Sequence, residues 1–188
     1  PKSVADALEA LPYDYKLNCP ICAKAKMKAM PQKPSKESAR HDHWGSLISS
    51  DLNGPLPVSF QDKYEYCINF IDAYSGWHHV YGMKTKSGTE VAYTIAKFIA
   101  DTSTFGDVKH LLTDDGNEYR NKHVAKLLLQ KGIGHTYGMA YAHSNARAER
   151  GWSVLNPIVR SMFGTAQLNH IHWPSAYRQA AYVVNITP

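Results

Sequence analysis

A chain of 188 residues with 44% hydrophobic and 20% charged side chains can bury one sizeable core, and this composition excludes disorder throughout. Three cysteines are too few for a disulfide scaffold and suit a reducing intracellular compartment, while the lack of any run of about eighteen apolar residues excludes a membrane-spanning helix. The formal charge of +5 and the pI near 9.0 favour a polyanionic partner such as nucleic acid, a signal shared with many unrelated soluble proteins.

Residues 1–25 hold a short helical pattern (Val4, Leu8, Leu11) that runs into Cys19-Pro-Ile-Cys22, the end of a small module. Residues 26–42 are lysine-rich with Pro31 and Pro34 and read as a linker. Lys24, Lys26, Lys28, Lys33, Lys36 and Arg40 crowd a stretch with one acid, Glu37. A nucleic-acid-binding arm and a plain solvated linker both fit that crowding. The main domain is predicted over 43–188, and the start at Pro1 and the end at Pro188 predict a segment of something longer.

Three strand-like segments come first, Gly45 to Asp51, Tyr64 to Asp72 and Trp77 to Lys84, rich in β-branched or aromatic residues and divided by Asn53-Gly54-Pro55 and Ala73-Tyr74-Ser75-Gly76. Their short links predict antiparallel pairing. Ser87-Gly88-Thr89-Glu90 has the pattern of a capping box, and Val91, Ile95, Phe98 and Ile99 then fall on one helical face. Val108 to Thr113 reads as a buried strand ending in Asp114-Asp115-Gly116. A helix follows, capped by Asn121 and stopped by Gly132, then a strand at Ile133 to Tyr137 and a loop to about Ser144. One helical segment carries Glu149, and a last helix starts at Trp173-Pro174. Strands and helices in this order predict an α/β domain, a mixed five-stranded sheet flanked by helices, which is the order of the ribonuclease H-like fold.

Asp51 falls at the predicted end of the first strand and Asp114 at the end of the fourth, so a sheet pairing those strands brings two carboxylates together. Glu149, on the later helix, supplies a third. Each alone reads more readily as a turn former or a solvated helix face. As a set they match what hard divalent cations need, convergent oxygen ligands on stiff platforms. Cys67 lies within an apolar strand and reads as a buried thiol, and His78 and His79 as strand side chains.

Ser50-Asp51-Leu-Asn-Gly54-Pro55, the run Tyr66 to Tyr74, Lys84-Thr-Lys86-Ser87, Leu112-Thr-Asp114-Asp-Gly116-Asn-Glu118-Tyr119, Gly132-Ile-Gly-His135, Ala148-Glu149-Arg150 and Trp173 to Pro188 form a specific combination. With Cys-Pro-Ile-Cys at 19–22, they make the span from about Cys19 to Pro188 resemble the integrases of copia-type long-terminal-repeat retrotransposons and, more distantly, retroviral integrases. The resemblance implies 3′-end processing and strand transfer of retrotransposon DNA into target DNA. It puts Asp51, Asp114 and Glu149 on the family's acidic triad around two magnesium or manganese ions, with Asp72 and Asp115 outside it. It also implies a homo-oligomer, no membrane association, and residence in the nucleus and in a cytoplasmic virus-like particle.

Cys19 and Cys22 match half of the family's His-His-Cys-Cys zinc module, and two ligands fall short of the four that tetrahedral zinc takes. Zinc is expected only with histidines upstream of this chain; His41 and His43 read as linker residues. Candidate DNA contacts are Ser144, Asn145, Arg147, Arg150 and Arg160 around the glutamate helix, with Lys24, Lys26 and Lys28 on the basic arm.

The chain also departs from the family. The loop from Tyr141 to Arg147 is one residue shorter than the family's and lacks its proline, glutamines and glycine, and Trp152 and Ser153 replace an asparagine and an arginine. Gly151 and Pro157 fall where a continuous helix is expected, and an interior proline costs about 3 kcal/mol or forces a kink. These departures leave open a catalytically decayed, DNA-binding descendant. A nuclease of the same fold acting on RNA in hybrids is a more distant reading, given the joined Asp-Gly-Asn-Glu-Tyr and Ala-Glu-Arg phrases.

Overall fold

A computed structural model describes residues 41–138 and 146–187. The Cys19-Cys22 module, Lys24, Lys26, Lys28, Ser144 and Asn145 lie outside the described residues. Five strands, β1 (Ile48–Asn53), β2 (Tyr66–Asp72), β3 (His78–Met83), β4 (His110–Thr113) and β5 (Gly134–Tyr137), form one sheet in the order β3-β2-β1-β4-β5. The β1–β2 and β2–β3 pairs are antiparallel, as expected, and β1–β4 and β4–β5 are parallel. Helices α1 (Gly88–Asp101), α2 (Lys122–Lys131), α3 (Ala146–Ala166) and α4 (Trp173–Ile186) complete the domain, with a 3-10 turn at His170–His172.

Alternation along the strands sends successive side chains to opposite faces and creates two cores. Ile48, Ile68, Phe70 and Leu111 face α1 and α2, meeting Val91, Ile95, Phe98, Val124 and Leu128. Phe70 stacks on Phe98 with centroids 4.3 Å apart. Each such side chain contributes roughly 1.5–3 kcal/mol by leaving water. On the opposite face Cys67 and Val80 pack against Trp152, Leu155 and Val159 of α3 and Tyr177, Ala180 and Ala181 of α4.

Local signals act as their chemistry predicts. The Ser87 side chain accepts from the Glu90 N–H, while the Glu90 carboxylate accepts from Lys84 and Thr85 N–H and so anchors the end of β3 to the start of α1. Asn121 caps α2 by accepting from the His123 and Val124 N–H groups, and Gly132 ends it in the left-handed conformation at φ 65°. One expectation needs correction. β1 continues to Asn53, which pairs with Cys67, so Asp51 lies two residues inside the strand and not at its end. Pro157 is interior, as expected: the helix runs from Ala146 to Ala166 with the buried proline inside it.

Candidate active site

The β1–β4 ladder pairs Ile48 with Leu111 and Ser49 with Leu112. Carrying that register two residues further sets Asp51 level with Asp114, which follows directly on the last residue of β4. Neighbouring strands run about 4.8 Å apart, so the two carboxylates project side by side. Alternation puts both on the face covered by α3, where Glu149 stands in the first helical turn.

The electrostatics follow from this placement. Asp51 is half-buried, and burial raises its carboxyl from the ordinary range to about 6. The charge of Asp114 adds to the rise, those of Glu149 and Glu118 contribute further, and the Leu52 N–H, donating to Asp51 Oδ1 at 2.9 Å, opposes it. Asp114 is raised too, by burial first and then by Glu118, against a stabilising bond from the Gly116 backbone. Asp114 Oδ1 is buried and has no hydrogen-bond partner. Half-buried carboxylates that repel one another, one with an orphaned oxygen, are what a cation relieves.

The neighbouring donors are oxygens. Cys67, across from Asn53, is buried, and burial followed by the Asp51 charge holds its thiol protonated. A hard cation therefore suits the site better than a thiolate-seeking one. The Asp51–Asp114 pair fits such an ion, but the expected trio is not closed. Among the described residues no three His, Cys, Asp or Glu side chains stand close enough together to hold a metal. Glu149 is exposed and reaches Asp51 through its charge.

Asp72 and Asp115, outside the triad by resemblance, have other tasks. Asp72 is buried and accepts from Gly45 N–H, Ser75 N–H and the Ser75 hydroxyl, closing the β2–β3 turn. Asp115 is exposed and ion-paired with Arg120. His78 is buried beside Asn69, its Nδ1 3.1 Å from Asn69 Nδ2, and burial lowers its pKa to about 4. His43 lies exposed against Asp42.

Of the predicted DNA contacts, Arg147 is half-buried and donates Nη1 to the Ala73 carbonyl at 3.1 Å, tying the start of α3 to the turn after β2. Arg150 and Arg160 are exposed on α3.

Sequence reasoning passed over Glu118 as a site residue. Its carboxylate lies over Gly116, where an added Cβ would come within 2.6 Å of Glu118 Cδ. A glycine two residues before an acid, just after the strand-end aspartate, was the available signal. It also took Gly151 for a flaw. A Cβ there would fall 2.3 Å from Ile71 Cδ1 and 2.8 Å from Asn69 Nδ2, so the glycine lets α3 settle on β2.

Comparison with known proteins agrees with this geometry. The family model "Integrase core domain" matches residues 41–143. The Pol polyprotein of transposon TNT 1-94 from Nicotiana tabacum is 30% identical over 145 residues, 76% of this chain and 11% of the relative. That of transposon RE2 from Arabidopsis thaliana is 24% identical over 133 residues, 70% of this chain and 9% of the relative. The chain thus spans about a tenth of the length of these polyproteins.

Among solved structures, the simian T-cell lymphotropic virus intasome in complex with PP2A regulatory subunit B56 gamma matches with TM-score 0.67 and 19% identity, over 98% of this chain and 64% of that one. The HTLV-2 integrase catalytic core domain in complex with magnesium (trimeric form) matches with TM-score 0.58 and 16% identity, over 77% of this chain and 87% of that one. At such identities these likenesses establish the ribonuclease H-like fold alone. The family model, which covers more than half of the 188 residues, places this chain in the integrase core domain family.

Proposed function

We propose that this domain performs metal-dependent 3′-end processing and strand transfer of copia-type retrotransposon DNA into target DNA. The observation that carries the reading is the parallel β1–β4 register, which sets Asp51 beside Asp114 on the face that α3 covers. Magnesium or manganese, as two ions, is the expected cofactor, with Asp51 and Asp114 holding it and Glu149 turning in from α3 to complete the ligands. Bound there, a divalent cation supplies charge neutralisation and Lewis acidity at the phosphate.

The chain's own groups supply the rest. Leu52 N–H and the Gly116 backbone orient the two aspartates, and the apolar packing of Trp152 and Leu155 keeps water from the sheet beneath them. In the first reaction a water oxygen displaces the 3′ oxygen at a phosphate near the DNA end. In the second the freed 3′-hydroxyl displaces the 3′ oxygen of a target phosphodiester, exchanging one such bond for another without an external energy source. Positioning and charge neutralisation supply most of such catalysis, and no covalent enzyme intermediate is needed.

Arg150 and Arg160, exposed on the glutamate helix, are suited to phosphate contact, with Ser144 and Asn145 before that helix and the lysines of the basic arm as further contacts. A homo-oligomer acting in the nucleus completes the reading. No helix of the described residues is long and apolar enough to cross a membrane.

One observation favours a second reading, a catalytically decayed DNA-binding descendant: the three acids do not stand in a closed ligand set. A magnesium-dependent strand-transfer assay separates the two. Joined product from the native chain, lost in Asp114→Asn, supports the first reading; no product from either leaves only binding, and equal product from both removes Asp114 from the reaction.

A further inference from the structure

Helix α3 carries an oddity that the triad does not explain. Pro157 has no N–H for the Ser153 carbonyl, so one rung of the helical ladder is missing between the part of α3 that bears Glu149 and the part beyond the proline. Apolar packing of Trp152, Leu155 and Val159 holds the helix down but is non-directional, so the polar contacts of α3, the Arg147 bond to the Ala73 carbonyl among them, add to what fixes its rotation.

A polar relay stands at this weak point. The Tyr177 hydroxyl on α4 donates to Asn156 Oδ1 at 2.7 Å and accepts from Asn53 Nδ2 at 3.1 Å. Asn156 precedes the proline and lies two helical turns beyond Glu149, on the same stripe of α3. Asn53 lies two residues beyond Asp51, on the same face of β1. One hydroxyl therefore ties the Glu149 stripe to the Asp51 strand. The Tyr177 ring is itself fixed by edge contacts with Trp152, 5.6 Å between centroids, and Trp173, 6.1 Å. At the helix's other contacts with the sheet, Gly151 rests on Asn69 and His78 and Arg147 donates to the Ala73 carbonyl, and the Tyr177 relay joins them in setting the rotation.

We propose that Tyr177 is a positioning residue that sets, through Asn156 and Asn53, the reach of Glu149 toward Asp51. The inference rests on the metal-dependent reading above. It assigns to a side chain outside the acidic triad control over how readily the third carboxylate closes on the ion.

Tyr177→Phe removes the hydroxyl and keeps the ring, so the full chain is expected to fold with a metal-free melting temperature within about 2–4 °C of the native value. Two readouts are taken on the native chain, Tyr177→Phe, Asn156→Leu and Asn156→Asp. These are the magnesium concentration giving half-maximal thermal stabilisation and the metal-free amide exchange of residues 147–153.

Tyr177→Phe and Asn156→Leu are each expected to need about fivefold more magnesium and to exchange faster over those residues of α3. Asn156→Asp, which keeps an acceptor for the hydroxyl, is expected to retain the native magnesium response. Native magnesium dependence in Tyr177→Phe overturns the inference, as does a lowered melting temperature with an unchanged magnesium requirement, which marks a merely structural role. A native chain that shows no magnesium response at all overturns the metal-dependent reading itself, and is thereby distinguishable from failure of the relay.

Discussion

Replacing Asp51 with asparagine is expected to stabilise the metal-free domain. The folded state holds the Asp51 carboxyl near 6, about two units above the unfolded value near 3.9. Below about pH 4 the group is protonated in both states and costs nothing. As pH rises through 4 to 6, the unfolded chain releases its proton first, and stability falls until the full cost is present above 6. Two units correspond to about 3 kcal/mol at most, and the partial exposure of the side chain reduces this to about 1–2 kcal/mol.

Asparagine keeps the volume and the oxygen that accepts from the Leu52 N–H, so Asp51→Asn should raise the melting temperature at pH 7.5 by about 2–8 °C. Differential scanning calorimetry at pH 7.5 and pH 4 checks this, and the gain should vanish at the lower pH. With magnesium the order should reverse, because the native chain gains ligand-linked stability and the variant does not. A fall in melting temperature at pH 7.5, or a gain of equal size at both pH values, would refute the reasoning.

Three other perturbations are set by the same geometry. Glu118→Gln removes the leading charge beside Asp114, so carboxyl NMR titrations should move Asp114, and to a lesser degree Asp51, toward the ordinary carboxylate range. Gly151→Ala drives a methyl into Ile71 Cδ1 and toward Asn69 Nδ2 and should cost about 1–3 kcal/mol in denaturant melts; Ile71→Val removes the nearer clashing atom and leaves the Asn69 contact, so the double variant should recover part of the loss. Arg147→Ala loses the bond to the Ala73 carbonyl and should cost about 1 kcal/mol of stability, with the salt slope of DNA binding unchanged if that guanidinium serves the fold and not a phosphate.

Much of this architecture was legible because local chemistry and tertiary demand agree. The β-branched and aromatic residues of Tyr66 to Asp72, the Ser87 and Asn121 caps and the Gly132 stop each encode their element within a few residues. The nearness of Asp51 to Asp114 was legible only as a condition, since it needs β1 to pair with β4, and pairing is a property of the whole sheet.

Local rules failed where tertiary contact outweighs them. Pro157 reads as a cost or a kink within the helix, yet the residues around it, Leu155 and Val159, are buried in the core shared with α4, and that packing offsets one lost hydrogen bond. Gly151 reads as a weak spot until the helix is set on Ile71 and Asn69. Arg147 reads as a candidate DNA contact, but no pattern of spacing reveals that the Ala73 carbonyl lies within its reach. The relay through Tyr177 joins residues more than a hundred positions apart, beyond any local signal.

Anomalous diffraction from crystals of the full chain soaked in manganese addresses the shared metal site without recourse to activity. A peak between Asp51 and Asp114, with a Glu149 carboxylate oxygen drawn to about 2.0–2.3 Å from an ion, is the expected result. Density with no ion at the two aspartates, or an ion that Glu149 ignores at saturating manganese, would contradict the role given to these three side chains.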